Sequence, residues 1–348
     1  MRRSTFVAVL AAALAGAAVP VAAQEMSGAG STFAYPVLSQ WSKAYQRSQT
    51  DAEFQPVGTG LDYEPVGSQA GIMRLRDGAV DFGATDVPLG ADELGRFGLG
   101  QFPIVIGGIV AALNLDGVPA GRLKLTGELL ADIYLGQVKT WQDPAIRALN
   151  PDLTLPDAAI AVLRRSDGSG TTFNFTNYLS RQSPVWKEKV GEGLLVTWPT
   201  GAGAKGNDGM AEAVKATRNA IGYVDFAQAQ RAKLAFALLR NRAGQFVQPG
   251  PDSFQASAAG ANWAAAPGFD LLLNDAPGET AYPIIATTFA VMKRQTPPTA
   301  RARAVFAFLR WSLDDGAKDA QALGYVPLPP ALVTQIKGHW SSAFGLDR

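Results

Sequence analysis

The turn on which the fold assignment rests reads Arg164-Arg165-Ser166-Asp167-Gly168-Ser169-Gly170-Thr171-Thr172-Phe173, between a strand predicted over 160–163 and a helix predicted over 174–180. Its glycines allow the backbone to approach a ligand closely. The free N–H groups and partial positive charge of a helix N-terminus favour an anion, and a guanidinium fork matches an oxyanion. The turn therefore indicates a site for a small oxyanion. The alternative interpretation is a surface turn rich in small polar residues.

Strand-like and helix-like segments alternate on both sides of this turn. The further predicted strands are 53–57, 81–84, 102–114, 221–224 and 284–292, and the further predicted helices are 33–47, 128–134, 209–217 and 299–313. The apolar run 102–114 predicts a buried strand of a parallel sheet, with a bend at Gly107-Gly108. The alternation predicts an α/β fold with mostly parallel sheets flanked by helices.

A near-repeat indicates two lobes. Gly28-Ala29-Gly30-Ser31-Thr32-Phe33 resembles Gly168-Ser169-Gly170-Thr171-Thr172-Phe173, about 140 residues further along the chain. Each stretch is a glycine-hydroxyl turn that opens a helix. Because ligand sites favour domain interfaces and the carboxyl ends of parallel strands, we expect a cleft between two lobes, each offering a helix N-terminus.

Composition excludes several classes of site and partner. The chain has no cysteine and one histidine, His339, which we expect at the surface. Thiolate metal sites, a cysteine nucleophile and a catalytic triad with histidine are therefore not expected, and we predict no metal and no cofactor. Without residues 1–23 the chain has 29 basic and 30 acidic residues, so no basic excess indicates nucleic acid.

The first residues have the pattern of a secretory signal peptide. Arg2 and Arg3 precede an apolar run from Phe6 to Val19, and small residues end it, which predicts cleavage after Ala23. The run is too short and too rich in alanine for a stable membrane anchor. We expect a freely diffusing exported protein.

Several motifs together resemble one known family. They occur in the order Gly-Ala-Gly before Thr32-Phe33, Gly67-Ser68 before a helix, Asp81-Phe82-Gly83-Ala84-Thr85-Asp86, Gln101-Phe102-Pro103, Ile133-Tyr134-Leu135-Gly136, Arg165 through Thr171, and Lys205-Gly206-Asn207-Asp208-Gly209. In this order and spacing the chain is similar to the periplasmic phosphate-binding protein of the high-affinity ABC phosphate uptake system. The similarity covers nearly all of the chain after residue 23.

The resemblance implies a set of phosphate-binding residues. They would be Thr32, Phe33, Ser68, Asp86, Arg165, Ser169, Gly170 and Thr171, with Asp167 holding Arg165 in place. Asp86 would accept a hydrogen bond from the protonated ligand, which phosphate can donate and sulfate at neutral pH cannot. Two near-duplicate stretches, 56–59 and 65–68, leave Thr59 as the alternative to Ser68. Ser68 fits the spacing to Asp86 without a gap.

The resemblance also implies the architecture and the partners. It implies a two-lobed, type II-like periplasmic binding protein with mixed or parallel sheets, lobe 1 being 24–105 plus 280–348 and lobe 2 being 106–279. Hinges are expected near 104–107 and 278–283. The expected partners are inorganic phosphate and a membrane ABC permease. The alternatives are a secreted phosphatase that uses the same cleft and a surface interaction protein with a vestigial cleft.

Overall fold

Strands and helices alternate along the chain, as the sequence predicts. A computed structural model describes residues 26–49 and 60–346. The strands of these residues are β1 (Met26–Gly30), β2 (Leu61–Glu64), β3 (Phe82–Thr85), β4 (Leu99–Asn114), β5 (Lys124–Leu125), β6 (Ala161–Arg165), β7 (Ala202–Ala204), β8 (Ala220–Asp225), β9 (Ala235–Phe236), β10 (Leu238–Arg240), β11 (Phe246–Val247) and β12 (Ile285–Lys293). The helices are α1 (Tyr35–Ser48), α2 (Ser68–Arg76), α3 (Ala91–Phe97), α4 (Gly127–Tyr134), α5 (Pro144–Leu149), α6 (Gly170–Gln182), α7 (Pro184–Lys189), α8 (Gly206–Ala216), α9 (Phe226–Arg231), α10 (Pro251–Ala259), α11 (Ala300–Asp314), α12 (Ala317–Ala322) and α13 (Pro330–Phe344), with a 3₁₀ turn at Trp263–Ala265.

One mixed sheet runs through the molecule in the order β2-β1-β3-β12-β4-β8-β6-β7, and β9 also pairs with β4. β1 is parallel to β2 and β3, and β6 is parallel to β7 and β8. β12 is antiparallel to β3 and β4, and β4 is antiparallel to β8. A second sheet has the order β11-β10-β5. The fold is therefore α/β with mixed sheets.

The strand predicted over 102–114 is present as β4, but its predicted parallel arrangement is wrong. Its three partners, β12, β8 and β9, all run antiparallel to it. Residues 99–113 are buried, and helices α3, α8, α9, α10 and α13 contact the strand. A strand that is covered on both faces gives a continuous apolar run whatever the direction of its neighbours. The run therefore contains no information about that direction.

Gly107 and Gly108 leave room for aromatic rings at the centre of β4. A Cβ atom on Gly107 would lie 2.8 Å from the ring of Phe33, and one on Gly108 would lie 2.2 Å from the ring of Phe254. The same pair marks a change of partner, because β4 pairs with β12 up to Gly108 and with β8 from Ile109 onward. The division into lobes at 105 and 280 stays a prediction.

Most of the other predicted elements are confirmed within a few residues. Helices α1, α4, α6, α8 and α11 and strands β3, β6, β8 and β12 lie where the sequence predicts them. The strand predicted over 53–57, the signal peptide and Thr59 lie outside the described residues. The surface position predicted for His339 is confirmed only in part, because its ring is half-buried against Phe269 and Phe344 where α13 packs on the protein.

Candidate functional site

Four elements meet at one point of the molecule. β1 and β3 are parallel neighbours, so their carboxyl ends lie at the same edge of the sheet, followed by Ser31 and Asp86. Helix α2 begins nearby at Ser68, and helix α6 begins at Gly170. The Ser68 hydroxyl lies within hydrogen-bond distance of Asp86 and Gly170, and so joins the two helix starts to the end of β3. The structure thus brings together residues that are up to 140 positions apart.

Close contact between α2 and β1 depends on two glycines. A Cβ atom on Gly71 of α2 would lie 2.3 Å from the Cα atom of Gly30, and one on Gly30 would lie 2.0 Å from the carbonyl oxygen of Ala84. Gly30 also has a φ of 139°, which L side chains rarely adopt. These glycines let α2 lie on the strand ends and bring Ser68 to Asp86.

Asp86 is a buried carboxylate with hydroxyl partners. Its Oδ1 atom accepts hydrogen bonds from the Ser31 hydroxyl at 2.6 Å and the Thr288 hydroxyl at 2.7 Å. Its Oδ2 atom lies 3.5 Å from the Ser68 hydroxyl. Burial raises the pKa of Asp86 to about 6, although these hydroxyls and the charge of Arg165 lower it. Near neutral pH this carboxyl is mostly ionised, so it can accept a hydrogen bond from a ligand that carries a proton.

Ser68 connects the two helix starts through backbone donors. Its hydroxyl oxygen accepts hydrogen bonds from the N–H of Asp86 at 3.3 Å and the N–H of Gly170 at 3.2 Å. A second contact joins the same helices, since the N–H of Gln69 donates to the carbonyl of Gly168 at 3.1 Å. The hydroxyl proton of Ser68 is therefore free to point away from these N–H groups.

Arg165 is fully buried and held on three sides. Its Nε and Nη2 atoms donate to the two carboxylate oxygens of Asp167 at 2.7 and 2.5 Å. Its Nη1 atom donates to Asn207 at 2.9 Å, and Nη2 also lies 3.3 Å from the hydroxyl of Thr32. Burial would raise the pKa of Asp167, but the hydrogen bonds and charge of Arg165 and the N–H of Gly206 outweigh it and lower that pKa. These partners together fix the plane of the guanidinium.

Thr32 and Thr171 meet at Asn207. The N–H of Asn207 donates to the Thr32 hydroxyl at 3.2 Å, and its side-chain amide donates to the Thr171 hydroxyl at 3.3 Å. The first glycine-hydroxyl turn, which contains Thr32, and the second, which contains Thr171, therefore belong to one hydrogen-bond network. The near-repeat predicts this proximity.

Phe33 and Ser169 support the site from inside the protein. The N–H of Phe33 donates to the Ser31 hydroxyl at 3.1 Å, and its ring packs edge-on against Tyr325 in the core. The hydroxyl of Ser169 caps α6 by accepting the N–H of Thr172 at 3.1 Å, while its own N–H donates to a carbonyl of residue 194. Their contact with a ligand stays a prediction.

Sequence reasoning missed four residues of this network: Ser31, Asn207, Tyr223 and Thr288. The hydroxyl of Tyr223 accepts the N–H of Arg165 at 3.0 Å and pairs with that of Thr172 at 2.7 Å. Ser31 and Asn207 stand inside motifs that the sequence singles out, so their position could have indicated a role. Thr288 lies 202 residues from Asp86 in a strand with no polar motif, and nothing in the sequence connects the two.

Clusters of metal-ligating side chains and membrane-spanning helices are both absent from the described part of the chain. Within 26–49 and 60–346, no group of three or more His, Cys, Asp or Glu side chains could hold a metal ion. No helix in that part of the chain is long and apolar enough to cross a membrane.

Comparison with known proteins identifies the family. The model of the PBP superfamily domain matches residues 15–315. The phosphate-binding protein PstS of Xylella fastidiosa (strain 9a5c) is 48% identical over 320 residues, which cover 92% of this chain and 86% of that protein. The chain belongs to the PstS family of the PBP superfamily.

Solved structures show the fold of this family. One is a high affinity periplasmic phosphate-binding protein bound with phosphate, with a TM-score of 0.68 and 20% identity over 90% of this chain and 93% of that one. Another is the phosphate binding protein of Stenotrophomonas maltophilia, with a TM-score of 0.66 and 19% identity over 91% of this chain and 94% of that one. The structural likeness is that of a two-lobed PBP fold.

Proposed function

We propose that this member of the PstS family binds inorganic phosphate in the periplasm and delivers it to an ABC-type phosphate importer. The observation that carries the proposal is the burial of Asp86 close enough to the buried Arg165 to feel its charge, with the starts of α2 and α6 joined to Asp86 through the Ser68 hydroxyl. An arginine and helix N-termini attract an oxyanion, whereas a buried carboxylate repels one unless the oxyanion carries a proton.

The ligand contacts follow from the donors that meet there. We assign Thr32, Phe33, Ser68, Asp86, Arg165, Ser169, Gly170 and Thr171 to phosphate, and Asp167 to the support of Arg165. A buried dianion needs several donors to replace its water, and charge-assisted hydrogen bonds contribute about 1.5–3 kcal/mol each. Of the five N–H bonds of Arg165, one on Nη1 has no partner among the described residues and can point at the ligand.

Export and lobe movement complete the proposed function. Residues 1–23 form a cleaved signal peptide, as their charge and hydropathy pattern indicates. The lobes, 24–105 plus 280–348 and 106–279, close on phosphate about the crossings near 104–107 and 278–283. The change of partner along β4 between Gly108 and Ile109 supports a division close to this place. In this proposal the protein is a carrier of phosphate and not an enzyme, in line with the names of its relatives.

Titration calorimetry of the purified, phosphate-stripped protein tests this function. We expect tight binding of phosphate and no binding of sulfate at pH 8, and Asp86→Asn should reduce the preference for phosphate roughly 10- to 100-fold. The physical reason is that an amide can donate to sulfate where the carboxylate repels it. Asp92→Asn, on the exposed first turn of α3, is the matched control and should leave both affinities unchanged.

Two results would contradict the proposal. Absence of phosphate binding by the stripped parent protein would overturn the function. An Asp86→Asn variant that rejects sulfate as strongly as the parent would overturn the role of Asp86 while leaving phosphate binding in place.

A further inference from the structure

Two buried hydroxyls converge on one oxygen of Asp86. Ser31 follows β1 and Thr288 lies in β12, and both side chains are fully buried. Their hydroxyls lie 2.6 and 2.7 Å from the same Oδ1 atom. Two hydroxyl donors at this distance fill the two lone-pair sites of that oxygen.

The direction of the Ser31 proton is fixed by its other partners. The hydroxyl oxygen of Ser31 accepts the N–H of Phe33 and the N–H of Ala34, both at 3.1 Å. A hydroxyl has one proton and two acceptor lone pairs, so these two N–H groups occupy the lone pairs and the proton goes to Asp86. Ser31 can therefore only donate to the carboxyl.

The other carboxylate oxygen faces the ligand-binding residues. A Cβ atom built on Gly170 would lie 2.7 Å from Oδ2 of Asp86 and 2.6 Å from the Ser68 hydroxyl, which places Oδ2 beside the start of α6. The Ser68 hydroxyl itself is 3.5 Å from Oδ2, a long contact that leaves the oxygen room for another donor.

We propose that Ser31 and Thr288 are positioning residues that fill Oδ1 of Asp86, so that Oδ2 alone accepts the proton of the bound anion and the carboxyl holds no proton of its own. This inference rests on the proposed function and explains how the carboxylate discriminates between anions. Sulfate has no proton to offer, so it can bind only when the Asp86 carboxyl itself carries one.

Several other groups act on Asp86 from the elements around it. Arg165 at the end of β6 favours the ionised carboxyl, whereas the acidic Asp225 at the end of β8 and the hydroxyls of Tyr63 and Tyr325 share its buried surroundings. Burial raises the pKa of Asp86 to about 6, although the hydroxyls of Ser31 and Thr288, the charge of Arg165 and the Ser68 hydroxyl all lower it. Removal of either donor raises that pKa further, while the other charges stay in place.

Sulfate binding as a function of pH tests the proposal. Calorimetry from pH 5 to pH 8 should show sulfate binding by the parent only near and below pH 6. In Thr288→Val the pH below which sulfate begins to bind, the sulfate onset, should rise by roughly one pH unit, because a charge-assisted donor to Asp86 is lost. Ser31→Ala should move the onset in the same direction and is the second variant, so the test does not depend on the folding of one protein.

The strand itself supplies the controls. Thr288→Ser restores a hydroxyl and should restore the parental onset. Thr287→Val removes a neighbouring buried hydroxyl that has no hydrogen-bond partner among the described residues, and it should leave the onset unchanged.

The outcomes separate this inference from the function on which it rests. If the parent binds phosphate at pH 8 but folded Thr288→Val and Ser31→Ala keep the parental sulfate onset, the inference is overturned. An equal shift in Thr287→Val would also overturn it, because the effect would then follow from a change in packing. If the parent binds no phosphate at pH 8, the proposed function fails instead.

Discussion

The charged residues of the site are buried, and their partners decide what each can do. Arg165 is only 1% exposed, and most of its donors are occupied by Asp167, Asn207 and Thr32. A guanidinium that is held in this way loses little conformational freedom when it binds an anion. The geometry of the fork therefore matters as much as its charge.

Arg165→Lys tests the contribution of that geometry. Lysine keeps the charge but cannot donate to both oxygens of Asp167 and to Asn207 in one plane, so we expect phosphate binding to weaken about 10- to 100-fold. Calorimetry at pH 8 measures the change, and circular dichroism checks the fold. Arg164→Lys is the matched control, since the hydrogen bond found for the Arg164 side chain within residues 26–49 and 60–346 is a long one, 3.4 Å, to the backbone carbonyl of Arg165. Equal affinities of parent and Arg165→Lys would contradict this role of the fork.

The candidate residues predicted from the sequence lie mostly in glycine-rich turns and at helix starts, whereas the strand residues Tyr223 and Thr288 were missed. Thr32, Ser68, Asp86 and Gly170 lie where glycines, hydroxyls and helix starts gather in the chain, and the structure brings them together. Thr288 lies in an apolar strand, and its contact with Asp86 depends on how distant strands pair. Local patterns do not contain that pairing.

At the scale of elements, the approach of α2 to the strand ends controls the position of Ser68. The contact is made backbone to backbone, because a Cβ atom on Gly71 would lie 2.3 Å from Gly30. Such a contact cannot be relieved by rotation of a side chain. A larger residue on this face of α2 must move the helix as a whole.

Gly71→Ala should therefore damage both stability and binding. We expect a loss of about 1–3 kcal/mol in the free energy of unfolding from overpacking, and weaker phosphate binding because Ser68 moves with the helix. Urea unfolding and calorimetry measure the two effects. Gly209→Ala is the control, because a Cβ atom there meets nothing within 4 Å, and in helix α8 it should stabilise the protein by about 0.5–1 kcal/mol. A Gly71→Ala protein as stable as the parent would contradict the tight contact.

The existence of the elements was easier to predict than their arrangement. Periodicity located α1 and α11 within two residues, because each buries one face. It could not give the direction of β4, whose two faces are both covered. The order of strands in the sheet arises from tertiary pairing and has no local sequence pattern.

At the scale of the whole molecule, a second buried carboxyl influences stability. Asp225 caps α9 by accepting the N–H of Gln228 at 2.8 Å, while its Oδ2 atom has no partner among the described residues. Burial, together with the acidic neighbours Asp208 and Asp86, raises the pKa of Asp225 to about 7, although Gln228 and Arg231 lower it. The folded protein therefore binds this proton more tightly than the unfolded chain does.

The sign of the resulting pH dependence is fixed. Because the unfolded pKa is about 3.9, the contribution of Asp225 to stability is greatest below that pH, falls as the pH rises and levels off above about 7. Asp225→Asn keeps the cap without the titration. Relative to this variant, the parent should lose roughly 2.5 kcal/mol between pH 5 and pH 8.

Thermal and urea unfolding at the two pH values measure this difference. Asp143→Asn, which changes the N-cap of α5 outside the core, is the control. It should change the free energy of unfolding by the same amount at pH 5 and at pH 8. A parent and an Asp225→Asn variant that differ by the same amount at pH 5 and pH 8 would contradict a titrating Asp225.

The position of β12 has a consequence for how the protein matures. This strand is made late, from residues 285–293, yet it lies in the interior of the sheet between β3 and β4. If the chain is exported from its N-terminus, as the proposed function requires, the edges of β3 and β4 stay exposed until residues 285–293 have emerged. Until then Asp86 also lacks the hydrogen bond that the Thr288 hydroxyl donates to it. In that proposed order of events, the hydrogen bond from Thr288 to Asp86 forms only after residues 285–293 have crossed the membrane, so the buried carboxyl acquires its full set of partners at the end of export.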